Sequence, residues 1–94
     1  MNIDWHPFAR ADLAELVAYI ANEDPAAAYR VHDEIRNQIA LLAAHPEMGR
    51  IGRVRGSREL VVSRTPYIAA YRITDSTLTV LRILHGARRW PRRI

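Results

Sequence analysis

The chain contains no cysteine and no lysine. Without cysteine there is no disulfide framework, no thiolate nucleophile and no cysteine-based zinc site. Without lysine, all fourteen basic side chains are arginines, whose planar fork grips phosphate or carboxylate with two hydrogen bonds. No apolar run approaches the ~20 residues that a membrane span requires. Met1-Asn2-Ile3-Asp4-Trp5 has no basic stretch leading into an apolar one, so no signal peptide is expected. A cytoplasmic protein with no membrane partner is the expectation. Glycine is scarce, and three of the four glycines fall between residues 49 and 56. Ninety-four residues leave room for one core, so 1–94 reads as a single domain. At 49% hydrophobic and 26% charged residues, the makeup is that of a folded domain.

Charge is divided unevenly along the chain. Residues 1–47 hold three arginines against eight acids, a net of −5; residues 48–94 hold eleven against two, a net of +9. A half so basic predicts an anionic partner, either nucleic acid or an acidic protein segment.

Residues 2–6 alternate polar and apolar, which predicts a short strand. Pro7 suits a first helical position. From Phe8 to about Asn22, apolar residues at 9, 13, 16, 17 and 20 predict a helix with one buried stripe and with Asp12 and Glu15 on its other side. Asp24-Pro25 restarts the chain as N-cap and first residue of a second helix. Its stripe is Ala28, Val31, Ile35, Ile39 and Leu42, and His45-Pro46 stops it near Ala44. The short link makes the two helices an antiparallel hairpin. Beyond the glycine loop, the runs 58–63, 67–73 and 77–85 are rich in Val, Ile, Thr and Tyr and predict strands. Asp75-Ser76 is the turn of a hairpin. The expected fold is α+β: an N-terminal strand, then the helical hairpin packed on a largely antiparallel four-stranded sheet, in the order β-α-α-β-β-β.

A two-residue turn at 75–76 pairs Thr74 with Thr77 and Tyr71 with Val80. Arg82 then shares a face with Tyr67, Ala69, Tyr71, Val80 and Leu84, while Arg72 lies opposite with Ile68, Leu81, Ile83 and His85. Both arginines sit among apolar neighbours, where an unpaired charge is costly. Glu59 is the natural acid for them, giving Glu59, Arg72 and Arg82 a structural pairing role.

The loop Gly49-Arg-Ile-Gly-Arg-Val-Arg-Gly56 lacks the Gly-Lys-Ser/Thr ending of a phosphate loop and follows a helix instead of a strand. It reads as a crossing whose arginines face a partner. The four histidines do not pair at metal-ligand spacing, so neither a metal nor a cofactor is expected. His85 precedes Gly86-Ala87-Arg88-Arg89-Trp90. It either orders the tail through hydrogen bonds or, beside Arg88, serves acid–base chemistry on a phosphate. The tail Arg88-Arg89-Trp90-Pro91-Arg92-Arg93 mixes arginine with an aromatic ring. That suits phosphate pairing and base stacking, or a solvated basic tail with Trp90 packed on the body.

Several segments together resemble the ParE branch of the RelE/ParE toxin superfamily: Arg58-Glu59-Leu60-Val61, Thr65-Pro66-Tyr67-Ile68 with Tyr71-Arg72, and Leu81-Arg82-Ile83-Leu84-His85-Gly86-Ala87-Arg88. Ala11-Asp12-Leu13 with Tyr19-Ile20, and Pro46-Glu47-Met48-Gly49-Arg50, belong to the same resemblance, which covers nearly the whole chain. It implies a growth-inhibiting toxin of a type II toxin–antitoxin system. The cognate antitoxin, ParD-like or similar, would wrap the toxin, and only the antitoxin would touch operator DNA.

The superfamily divides by mechanism. RelE-like members cut mRNA on the ribosome with a cluster of cations and an acid–base group. By resemblance, Arg88 keeps one of their positions. Their remaining arginine falls on Ile68, their two lysines on Glu59 and Val61, and their terminal tyrosine on Ile94. ParE-like members inhibit DNA gyrase by binding, which needs no catalytic residue. The resemblance therefore implies a gyrase inhibitor, with Arg88, Arg89, Trp90, Arg92, Arg93, Arg50 and Arg53 as contacts for target or antitoxin. A ribosome-dependent nuclease using His85 and Arg88 is the alternative.

Overall fold

The protein is described by a computed structural model covering residues 1–93. The elements are β1 (Asn2–Trp5), α1 (Pro7–Ala21), α2 (Pro25–Ala40), β2 (Arg50–Ile51), β3 (Arg58–Val61), β4 (Tyr67–Thr74) and β5 (Thr77–His85). The expected α+β order holds, with one addition. The glycine loop contributes a two-residue strand, β2, so the sheet has five strands in the order β1-β5-β4-β3-β2. β1 runs parallel to β5, and the other neighbours are antiparallel.

Local chemistry sets the helix ends. His6 caps α1 by accepting the Phe8 N–H at Nδ1 (3.0 Å), and Pro7 occupies a position that needs no donor. Asp24 Oδ1 accepts the Ala27 N–H at 3.0 Å to start α2. α2 ends at Ala40, earlier than Ala44, and tightens into a 3₁₀ turn over Leu41–Ala43. Pro46 denies His45 the helical region, and a tighter last turn satisfies the end carbonyls.

The hairpin of α1 and α2 covers one side of the sheet. Ala9, Leu13, Leu16, Ile35, Ile39 and Leu42 meet Leu60, Val62, Ala69, Tyr71, Leu78, Val80 and Ile83 in one core. The Tyr71 hydroxyl is a polar group within that core. It donates to the Pro46 carbonyl (2.7 Å) and accepts from the Gly49 N–H (3.0 Å), which pins the exit from the helices to the centre of the sheet. Burial pushes the Tyr71 pKa up, so the hydroxyl keeps its proton. A Cβ at residue 49 would lie 2.5 Å from that oxygen, so glycine is required there.

The β4–β5 register begins as the two-residue turn dictates: Thr74 opposite Thr77 and Tyr71 opposite Val80. It then slips, and Ala70 stands opposite Arg82 with Leu81 as the extra residue of a bulge. Beyond the slip, Ile83 faces Ala69 and His85 faces Tyr67. The alternation expected for Arg82 and Leu84 is thus corrected by one residue, and it is Ile83 that joins the core.

Candidate functional site

Two clusters of paired charges hold acids with low exposure, one on each side of the sheet. On the helix side, Asp12 projects from α1 to β5. It accepts Arg82 Nε and Nη2 at 2.7 and 2.9 Å, and also the Ile83 N–H at 3.0 Å. The bulge directs that N–H to the carboxylate. Asp12 therefore does two jobs: it neutralises Arg82 and receives a main-chain donor at the bulge. The carboxylate raises the Arg82 pKa and keeps the guanidinium charged. Asp12 was expected on the solvent side of α1, yet its side chain is 13% exposed. Its position three residues after Ala9 and four before Leu16 places it on the border of the apolar stripe, the one signal of this role in the sequence.

On the opposite side lies Glu59, whose side chain is 2% exposed. It pairs with neither Arg72 nor Arg82, contrary to the expected pairing. Arg50 sits directly across from it in the β2–β3 register, and the chain returns Arg53 to it after Gly52. Arg50 Nε and Nη2 donate to Oε1 at 3.3 and 3.0 Å. The Arg53 N–H and Nε donate to Oε2 at 2.7 and 3.0 Å, and Arg53 Nη2 reaches Oε1 at 3.2 Å. Burial alone would raise the Glu59 pKa. The hydrogen bonds from Arg53 and Arg50 outweigh it, and the pKa is lowered. Arg72 has a different partner: its Nε donates to the Gly56 carbonyl at 3.2 Å, holding down the loop where Gly56 takes a left-handed φ of 80°.

The residues after β5 fold back along the protein. His85 Nδ1 accepts the Ala87 N–H (3.2 Å), and its carbonyl accepts both the Arg88 N–H (3.1 Å) and Trp90 Nε1 (3.3 Å). The His85 ring meets Tyr67 edge-on at 5.7 Å between centroids. Burial raises the Tyr67 pKa, so its phenol is neutral at neutral pH. Trp90 is half-buried, and the Arg53 guanidinium lies 3.7 Å from its ring centroid. Arg88, Arg89, Arg92 and Arg93 are exposed, and among the described residues none forms an ion pair.

Between α1 and the end of β5 opens a cleft of about 350 Å³. Glu15 and Tyr19 line it from the helix; Tyr67, His85, Arg88 and Arg89 line it from the sheet and tail. Thus the structure brings Arg88 and Arg89 together with His85, and separately brings Arg50 and Arg53 together on Glu59, with Arg53 also against Trp90. No group of three or more metal-ligating side chains occurs among the described residues. Among the described residues, no helix is long and apolar enough to cross a membrane.

Comparison with known proteins places this geometry. Residues 3–90 match the family described as the ParE toxin of the type II toxin–antitoxin system parDE. Y4kP of Sinorhizobium fredii, a protein named as a toxin, is 40% identical over 89 residues, which is 95% of this chain and 92% of the relative. Toxin RelE2 of Caulobacter vibrioides is 37% identical over 84 residues, 89% of this chain and 93% of the relative. Among solved structures, one of the chromosomal ParDE system from P. aeruginosa superposes with a TM-score of 0.81. It is 29% identical and covers 88% of this chain and 92% of that one. A family match across almost the whole length, with the same fold, means that this chain belongs to the ParE toxin family of type II toxin–antitoxin systems.

Proposed function

We propose that the protein inhibits DNA gyrase by binding it, and that a cognate ParD-like antitoxin neutralises it. The observation that carries this reading is what occupies the positions at which RelE-like nucleases hold their cations. Glu59 is a buried acid engaged by Arg50 and Arg53. Ile68 is buried and apolar, and Val61 is an exposed aliphatic side chain. Ile94 lies outside the described residues. Of these positions, Arg88 alone holds a cation, and it is open to solvent. Stabilising the charge on a phosphate under attack requires several preorganised donors at one point, and one arginine does not make that cluster. A binding inhibitor needs only a surface. The exposed arginines after β5 supply one, suited to an acidic or phosphate-bearing partner. The same basic half suits an acidic antitoxin segment, and the antitoxin would carry the contact with operator DNA.

The test is a supercoiling assay with antitoxin-free protein, gyrase and relaxed plasmid. Lost supercoiling or accumulated cleaved DNA is the expected result. Normal supercoiling at high toxin excess would overturn the reading for that gyrase. One arrangement favours a second reading: His85 shares its cleft with Arg88 and the neutral Tyr67 phenol. A nuclease built on it would cleave ribosome-bound mRNA and would be crippled by His85→Ala, a change that a gyrase inhibitor acting through the tail should survive.

A further inference from the structure

The Glu59 cluster is not explained by the stability of the sheet alone. A buried carboxylate is costly unless its oxygens are fully hydrogen-bonded. Here five N–H groups from two residues converge on it, three of them from Arg53. That arrangement fixes the plane of the Arg53 guanidinium, because Nε and Nη2 are both held by one carboxylate. The Cζ of that guanidinium lies over the Trp90 ring, 3.7 Å from its centroid. The indole N–H is in turn held by the His85 carbonyl at the end of β5. Trp90 is thus gripped at its face by Arg53 and at its edge by β5. It stands in the middle of the run that carries Arg88, Arg89, Arg92 and Arg93.

We infer that Glu59 is a positioning residue for the basic tail: through Arg53 it holds Trp90, and through Trp90 it sets where the four exposed arginines present their charge. The inference rests on the reading that this tail meets the target, but the clasp itself is measured apart from the target. An arginine freed of its carboxylate samples many rotamers, and a stack that depends on one rotamer weakens with it. The ordering of Glu59, Arg53 and Trp90 is a relay in which each link is a contact in the structure. It also accounts for a buried acid at a position where an apolar side chain would close the sheet more simply.

The experiment uses the full chain in a Trp5→Phe background, so that Trp90 is the only indole. Trp90 emission is recorded, and cleavage by trypsin after Arg88 and Arg89 is timed by mass spectrometry. Glu59→Gln should shift the emission to the red and speed tail cleavage about tenfold, the factor a cation–π contact of middling strength commands. Arg53→Lys retains a charge for Glu59 but has no plane to stack, and should do the same, which separates the stack from folding. Combined with Trp90→Ala, Glu59→Gln should add nothing further to tail cleavage. A purely structural role for Glu59 would make the two effects additive. Unchanged emission and cleavage in both Glu59→Gln and Arg53→Lys, or additivity with Trp90→Ala, would overturn the inference. Supercoiling assays on the same variants run in parallel. Inhibition absent even from the parent protein would overturn the gyrase reading, while emission and cleavage still decide the clasp.

Discussion

The two sides of the sheet are closed by different physics. On the helix side, aliphatic side chains of α1 and α2 meet those of β3, β4 and β5, and the polar exceptions are Tyr71 and the Asp12–Arg82 pair. On the other side Ile68, Ala70 and Leu81 are buried as well, outside that core cluster. There the cover is irregular chain. Gly86 packs on Ile68 and donates its N–H to the Pro66 carbonyl, Arg72 holds the Gly56 loop, and Glu59 binds Arg50 and Arg53. Burial of apolar area is non-directional and indifferent to pH. A carboxylate with five donors is directional and titratable. The helix side should therefore answer to changes in volume, and the outer side to changes in charge.

The comparison breaks most sharply in the core. Ile35 is fully buried, and Ile35→Ala should cost about 2–5 kcal/mol in a urea titration. The loss should be the same at neutral and mildly acidic pH. A cost below about 1 kcal/mol would mean that the helical hairpin collapses onto the space, and that volume does not govern this side.

Asp12→Ala comes next, at about 2–3 kcal/mol, because it strands Arg82 and an N–H at the bulge together. Asp12→Asn should recover part of this, since an amide oxygen can still accept the Ile83 N–H. Equal losses for the two variants would show that the charge alone matters. Tyr71→Phe removes the hydroxyl and leaves the Gly49 N–H and Pro46 carbonyl without it. About 1–3 kcal/mol is expected, with the first added exchange of amide hydrogens at residues 47–49.

What the sequence makes legible follows the same division. The helix side was readable because period and capping are local. Asp24-Pro25 and the 3.6-residue spacing of Ala28, Ile35, Ile39 and Leu42 place α2 without any knowledge of its partners. The Asp75-Ser76 turn likewise fixes the register up to Tyr71 and Val80. The bulge at Leu81 was not readable, because nothing local distinguishes an extra residue within a continuous β-forming run. That single slip removes Arg82 from its expected face and hands it to Asp12. The partner of Glu59 is hidden from the sequence for a related reason. Pairing an acid with strand arginines ignores that a two-residue strand can form inside a glycine loop, and β2 is too short to show a period. Arg50 and Arg53, chosen as contacts because they are basic, are also the ligands of a buried acid. Among the tail residues, composition showed that charge and an aromatic ring coincide. Only the fold shows which loop arginine the ring lies on.

The smallest effect expected is also the one that separates the two sides most cleanly. The Glu59 pKa is lowered in the folded protein, so its pairing contributes stability that is present above the ordinary carboxylate value of 4.5 and is lost as pH falls through the folded value below it. Glu34 follows the same rule on the surface of α2. The Arg64 guanidinium, helped by Gln38, pulls its pKa down to about 2. The two differ in exposure. Glu34 pairs with an arginine that is 69% exposed, so salt should erase its share of the acid dependence. The Glu59 side chain is 2% exposed against 22% for Glu34, and five donors hold it, so salt reaches its pairing less. Urea midpoints at pH 7 and pH 3.5, each at low and high salt, should therefore show an acid loss with one salt-sensitive part and one resistant part. Glu34→Gln should remove the first and Glu59→Gln the second. If high salt abolished the whole acid dependence, the outer side would be closed by screened surface charge, and its contrast with the helix side would dissolve.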